Sequence, residues 1–565
     1  MLDPKYLEKF SDQLLGIIDT LTIAIISDMA KRIVKMGNVS ESTKHQAEVL
    51  QNAGLVYKDT IKRVSQVSGY QKHEVQRMYE EAGVRNLKNE AVYYKQAGKE
   101  DIKLNQSNGM QRILQANIRK TCQELDNLTM TTAVRSQSAY IQACNRAQMK
   151  VSSGAFSYDK AIADAIKEAA VQGTEVLYPS QHVDKLDVAV RRAVLTGVNQ
   201  TAAEMNLQYA KDQNCDYVET TAHEGARPEH AVWQGKVFCL SGTDPKYENF
   251  YEATGYGTGP GLCGWNCRHN FHAFFPGIST PAYTQEMLDD YSAKNVEYNG
   301  KQFTEYEAGQ MQRGHERQIR ETKRKLAGYN SAISEAKDDL KNTLQNRFNE
   351  ESVRLKKQEA ALKVFCKETG RRYESARVQI HAVKNKAGDI VGFNRSVAQK
   401  AVWQDRKNIF KNQMSKQLEK LAEEEKKAIW RYTGNAANRV NSAIYSGKQQ
   451  RIDQEKGFMD LLDSALSKGT AEHKMVVHRD TIPEYLNAFP KGFQYSEEDI
   501  KRMNGMTLTN KGYTSTSFHD IMYQGRNVHL EIEIPKGYKG CLYIKDVATE
   551  KYKNQEEVLL DFSVK

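Results

Sequence analysis

The sequence predicts a multidomain protein, mainly α-helical through its N-terminal and central regions, with an α+β unit at its C-terminal end. Three observations predict it. Only ten prolines interrupt 565 residues, and long stretches rich in Ala, Lys, Glu and Gln repeat apolar positions at helical spacing. Near the end the period changes: Val528-His529-Leu530-Glu531-Ile532-Glu533-Ile534 alternates, while Cys541-Leu542-Tyr543-Ile544 and Val558-Leu559-Leu560 are short apolar runs. Those are the patterns of half-buried and buried strands. A composition of 27% charged and 39% hydrophobic residues suits a chain of this length that buries several cores.

Residues 1–200 read as a helical region. The first apolar stretch, Leu14 to Val34, is broken by Asp19, Asp28, Lys31 and Arg32. It therefore neither spans a membrane nor has the layout of a secretory peptide, and it predicts an amphipathic helix opening near Asp3-Pro4. Gly37, Gly54, Gly69, Gly83, Gly98 and Gly109 punctuate the next seventy or so residues. Eight scattered cysteines lack the spacing of a disulfide framework, which fits synthesis in a reducing cytoplasm. The net charge of +10 is spread rather than blocked, so it permits nonspecific DNA contact without reading sequence, and nothing calls for a membrane partner.

Residues 201–283 differ in kind. His223-Glu224-Gly225-Ala226-Arg227-Pro228-Glu229-His230 leads to Trp233-Gln234-Gly235-Lys236, and a Gly-rich segment ends in Gly261-Leu262-Cys263-Gly264-Trp265-Asn266-Cys267-Arg268-His269. Cys263, Cys267, His269 and His272 offer zinc-type ligands from one loop, with His223 and His230 upstream. Their spacing is not that of an established finger, and a Gly-rich loop fixes Cys and His by packing alone, so no metal is expected here and zinc is the lesser alternative. A hydrolase built on His223 or His230 lacks a nucleophile elbow. The two segments resemble the block shared by phage minor capsid proteins of the Mu-like head-morphogenesis family. That resemblance implies a structural protein of a tailed-phage head over residues 1 to about 400, with portal and capsid proteins as partners.

Residues 284–404 read as a long-helix connector. Ile319, Leu326, Ile333 and Leu340 recur at heptad spacing, as in a coiled-coil-like seam or a helical hairpin. An interruption from Cys366 to Asn394 contains a strand-like Val378-Gln379-Ile380 and a turn at Gly388-Asp389, and a helix from Val397 leads into the last domain.

Residues 405–565 carry Trp430-Arg431-Tyr432-Thr433-Gly434 with Val440-Asn441. Then come Arg479 ending the short apolar strand Met475-Val476-Val477-His478-Arg479, the triplet Ser515-Thr516-Ser517, and Gln555-Glu556-Glu557. In that order they resemble the Arg / Ser-Thr-Ser / Gln-x-Glu signature of mono-ADP-ribosyltransferases, and the Tyr432–Asn441 segment resembles the helix preceding the arginine in clostridial-type members. The resemblance implies two small packed antiparallel or mixed sheets plus helices, with NAD as substrate. It implies a catalytic set of Glu557, Gln555 and Ser515, and NAD binding by Arg479, Tyr432, Asn441, Thr516 and Ser517. An always-charged guanidinium suits a pyrophosphate, and a rigid carboxylate suits the oxocarbenium-like state of ribosyl transfer. Gln in place of Glu at 555 is similar to the exoenzymes that modify asparagine, so an arginine acceptor is disfavoured. Glu556 substitutes only if the strand register slips by one. Tyr552 is a further candidate for acceptor contact. The whole reads as a virion protein carrying a transferase, delivered to the host or acting on a phage protein. The alternatives are an inactive structural head protein and a polymorphic toxin with a capsid-like delivery region.

Overall fold

The computed structural model describes residues 6, 12–36, 42–380, 383–384, 390–481, 496, 510, 512–518 and 528–561. The chain divides into two compact units, residues 1–401 and 402–565.

The first unit is built on seven long helices among the described residues: Asp12–Lys35, Ser42–Gln96, Asn108–Ser152, Tyr158–Gln172, Leu186–Asp212, Glu305–Ile333 and Asp338–Glu368. They share one apolar core running from Leu14 to Ala398. Local signals set several ends: Ser107 caps Asn108–Ser152 through the Met110 amide, and Thr304 with Glu307 forms a capping box on Glu305–Ile333. The glycines punctuate less than the sequence suggests. Gly54, Gly69 and Gly83 all lie inside the single helix Ser42–Gln96, where each costs about 1 kcal/mol relative to Ala. Packing against Asn108–Ser152 overrides that penalty, whereas Gly98, with φ of +70°, lies just past the helix end. Asp3-Pro4 and Gly37 lie outside the described residues.

Asp19 does not face water. It pairs with Arg320, whose Nε donates to Asp187 at 2.9 Å, while Arg324 donates to the same carboxylate at 2.5 Å. This buried network ties Asp12–Lys35, Leu186–Asp212 and Glu305–Ile333 together. The heptad run resolves as a hairpin: Ile333 ends one helix and Leu340 lies in the next, with Ser334–Lys337 between them. The strand expected at Val378-Gln379-Ile380 is absent. Ser375–Val378 is a helical turn, and the nearby ladder pairs β8 (Val383–Lys384) with β9 (Ile390–Val391) instead. The Gly388-Asp389 turn lies outside the described residues.

Earlier strands are short: β1 (Glu175–Leu177) with β2 (Val183–Lys185), and β6 (Val296–Tyr298) with β7 (Lys301–Phe303). β3 (Tyr217–Thr220) lies between β4 (Val237–Cys239) and β5 (Phe271–Ala273) in an antiparallel sheet that supports the Cys/His block.

The second unit contains helices Glu423–Arg431, Ala437–Ser446 and Gln449–Ser467 and strands β10 (Met475–Thr481), β11 (Thr514–Ser517), β12 (Val528–Ile534), β13 (Cys541–Tyr543) and β14 (Glu557–Leu560). Their order is β12-β10-β11-β14-β13, with every pairing antiparallel. Where the resemblance implies two packed small sheets, the five strands form one sheet, made of a β12-β10 ribbon and a β11-β14-β13 ribbon joined, among the described residues, at the pair His478↔Ser517. Both ribbons feed one apolar cluster, with Met475, Val477 and Ile534 from the first and Cys541, Tyr543, Val558 and Leu560 from the second. Leu542 and Leu559 point the other way, into a cluster with Ile429, Tyr432, Leu462 and Leu466 of the helices. β13 and β14 are therefore buried on both faces, which is why their sequences are continuous apolar runs.

Candidate active site

Strand alternation decides which of the signature residues meet. β11 pairs with β14 as Ser515↔Leu559, Thr516↔Val558 and Ser517↔Glu557. Residues opposite each other share a face, so Ser515, Ser517, Glu557 and Leu559 lie on one side and Thr516 and Val558 on the other. Leu559 packs with Tyr432 and Tyr513, so Glu557 stands on the same side as those rings. Arg479 arrives from β10. Beyond His478↔Ser517 no further β10–β11 pairing forms among the described residues, and at that parting Arg479 Nη1 donates to the Ser515 carbonyl at 3.3 Å. Arg479 sits within its strand rather than at its end, paired with Leu530.

Glu557 is 7% exposed. Burial pushes its carboxyl above the ordinary range, opposed by a hydrogen bond from Ser515 and by the Arg479 charge. A buried carboxylate raised by desolvation and held by one hydroxyl and one guanidinium is the environment expected of a working group. Tyr432 lies beneath it, only 1% exposed, as a buried support rather than a cleft surface. Burial pushes its phenol up to about 12, helped by the Glu557 charge and opposed by the Asn441 and Ser515 hydrogen bonds and the Arg479 charge. Asn441 Nδ2 donates to the Tyr432 hydroxyl at 3.1 Å, and the Tyr432 hydroxyl donates to the Tyr513 carbonyl at 3.4 Å. Asn441 Oδ1 is buried and accepts no hydrogen bond among the described residues. A π-helical turn at Tyr432–Ala436 links the two flanking helices, a local form that recurs at functional sites.

Thr516 is turned away from this side because it occupies the alternate strand position. Its hydroxyl donates to the Val558 carbonyl at 2.7 Å and closes the strand pair. Ser517 donates to the Gln555 carbonyl at 2.5 Å, which ties the Lys553–Gln555 turn to β11. Glu556 has φ of 49° and carries the chain from that turn into β14. Its carboxylate pairs with Lys411 and, at 3.5 Å, with Lys545. The register is fixed with Glu557 opposite Ser517, so Glu556 is committed to lysines. Tyr552 is half-buried, with Lys551 Nζ 5.3 Å from its ring centroid.

The Cys/His candidates of the first unit separate into two groups. His230, Cys267 and His269 converge, with ligand atoms within 4.8 Å of one another. Cys263 and His272 do not join them. The Cys263 thiol donates to the His269 carbonyl at 3.4 Å, and His272 stacks on Tyr93 with ring centroids 4.0 Å apart. His223 stacks on His269 at 4.2 Å. The Gly-rich segment folds tightly enough to deliver Cys267: a Cβ at Gly261 would come within 2.0 Å of the Gly255 carbonyl. Distance along the chain hides this convergence, since His230 lies 37 residues from Cys267.

Two family models match the chain: phage minor capsid protein 2 over residues 2–367 and ADP-ribosyltransferase exoenzyme over residues 407–565. A "Structural protein" of Lactococcus phage LL-H is 27% identical over 228 residues, 38% of this chain and 58% of that protein. The chain thus spans little more than half the length of that relative. The "Epidermal cell differentiation inhibitor" of Staphylococcus aureus is 28% identical over 173 residues, 26% of this chain and 68% of that protein. Among solved structures, Plx2a, an ADP-ribosyltransferase toxin from Paenibacillus larvae, has 27% identity and a TM-score of 0.24, covering 28% of this chain and 82% of its own. C3stau2 from S. aureus with NAD has 27% identity and a TM-score of 0.23, covering 27% and 82%. Among the described residues no helix is long and apolar enough to cross a membrane.

Proposed function

Because this chain belongs to the phage minor capsid protein 2 family, we propose that it is a minor head protein whose C-terminal unit is a mono-ADP-ribosyltransferase. That unit moves ADP-ribose from NAD onto an acceptor protein. The observation that carries this reading is the meeting of Arg479, Ser515 and Glu557 from three neighbouring strands at the parting of β10 and β11.

Arg479 supplies a fixed positive charge for the NAD phosphates. Glu557 takes a ribose hydroxyl and stabilises the positive charge that grows on the ribose as its bond to nicotinamide breaks. Ser515 keeps that carboxylate oriented and favours its ionised form. Tyr432 and Asn441 brace the floor, and Asn441 Oδ1, which accepts no hydrogen bond among the described residues, offers an acceptor to the bound substrate. The acceptor nitrogen bonds to the ribose carbon, nicotinamide leaves neutral, and the acceptor gives up one proton. Gln555, anchored through its carbonyl by Ser517, presents an amide that orients the acceptor and carries no base. A non-arginine acceptor follows from that chemistry.

In this reading the first unit works in the particle beside portal and capsid proteins, and the transferase travels with the virion into the host cytoplasm. The test is incubation of the full chain with labelled NAD and bacterial lysate, followed by mass spectrometry of the modified residue. Label on a non-arginine side chain is expected. Arginine adducts overturn the role of Gln555, and no label on any protein overturns the transferase reading.

A further inference from the structure

We propose that His230, Cys267 and His269 form a site for a thiophilic divalent cation of the zinc class, held in the first unit and independent of the transferase chemistry. The His230 side chain projects from the short helix Pro228–Ala231, while Cys267 and His269 lie on the segment entering β5. All three are buried.

The distances suit the metal. Zinc–sulfur bonds of about 2.3 Å and zinc–nitrogen bonds of about 2.0 Å at a tetrahedral angle place sulfur and nitrogen about 3.6 Å apart. Cys267 Sγ lies 3.6 Å from His230 Nδ1 and 3.7 Å from His269 Nδ1.

The outer contacts set both imidazoles in the matching tautomer. His230 Nε2 lies 2.8 Å from the Pro260 carbonyl, which only accepts, so Nε2 carries the proton. Arg227 Nη2 is farther from that nitrogen, at 3.3 Å, and donates to the Trp265 carbonyl at 2.9 Å. His269 Nε2 lies 3.1 Å from Gln234 Oε1 and donates there in the same way. Both Nδ1 lone pairs therefore face one sulfur. A single S–H satisfies one of them and leaves the other buried acceptor short, whereas a cation on a thiolate satisfies both. Fixing the far nitrogen of each ligating histidine on a carbonyl is the usual outer arrangement of metal-binding imidazoles. Two imidazoles and one thiolate leave a fourth position for a solvent-derived or anionic ligand.

The experiment uses the full chain, purified from zinc-supplemented culture, and reads bound metal by elemental analysis and by cobalt(II) substitution. Wild type and Cys263→Ser are expected to hold stoichiometric zinc and, with cobalt, to show a thiolate-to-metal charge-transfer band. Cys267→Ser and His269→Gln are expected to lose both while keeping helical circular dichroism. If a variant fails to fold, the wild-type cobalt band decides alone. Absence of zinc and of that band in wild type, or an unchanged band in folded Cys267→Ser, overturns the site in favour of a hydrogen-bonded cluster. Labelling from NAD is expected to be the same in every folded variant, so failure here is distinct from failure of the transferase reading.

Discussion

Replacing Ser515 by Ala isolates what the hydroxyl does for Glu557. Burial raises that carboxyl, and the Ser515 hydrogen bond and the Arg479 charge oppose the rise. Removing the hydroxyl therefore raises it further, so a larger share of the enzyme holds Glu557 protonated and unable to stabilise a ribosyl cation. A hydrogen bond to a charged group contributes about 1.5–3 kcal/mol, which is roughly a ten- to hundredfold change in proton affinity. On the acidic limb of the profile, kcat/KM for NAD cleavage should fall by about that factor. Once pH exceeds the displaced limb the loss should shrink, because Glu557 is ionised again and Arg479 remains. The assay is the pH dependence of nicotinamide release for wild type and Ser515→Ala. A loss of constant size at every pH, or an unmoved limb, refutes the argument that Ser515 acts through the Glu557 charge.

Arg320→Ala strips Asp19 of its buried partner and leaves Asp187 with Arg324 alone. Urea unfolding of the helical signal should report a loss of about 3–5 kcal/mol, and a loss below about 1 kcal/mol contradicts the network. Burial alone would raise Asp187, but Arg324 and Arg320 outweigh it and hold the carboxyl at about 2. Its contribution is in place above the ordinary carboxylate value of about 3.9 and drains as pH falls toward 2, which acid titration of wild type should show. Glu556→Gln gives up ion pairs to Lys411 and Lys545. It should keep transfer within about twofold while costing about 1 kcal/mol or less, as for a partly exposed pair. A collapse of transfer would place Glu556 in the chemistry.

Much of the second unit is legible in the sequence because strand signals are short-range. Alternation in Val528–Ile534 and the apolar run Val558–Leu560 mark strands directly, and the order of Arg479, Ser515 and Glu557 follows the chain. Their faces are not legible, since they depend on register. Only the pairing Ser517↔Glu557 shows that Thr516 turns away and that Glu556 goes to lysines. Tyr432 reads as a cleft residue from its motif, yet the π-helical turn buries it under the site. In the first unit, Asp19 reads only as a charge breaking an apolar stretch, because its partner lies about 300 residues away. The heptad run leaves a seam and a hairpin equally open because no Gly or Pro marks the break after Ile333. His230 is visible beside the Cys/His loop, but its convergence with Cys267 needs the β3-β4-β5 scaffold.

The central claim rests on Glu557, and one comparison tests it most directly. Full-length wild type and Glu557→Gln are incubated with labelled NAD and lysate, with NAD binding measured in parallel. The carboxylate and the amide are nearly the same size, so fold and NAD binding should be kept while labelling of the acceptor falls by at least about a hundredfold, as when one charge-stabilising group is lost. Equal labelling by Glu557→Gln would contradict the account.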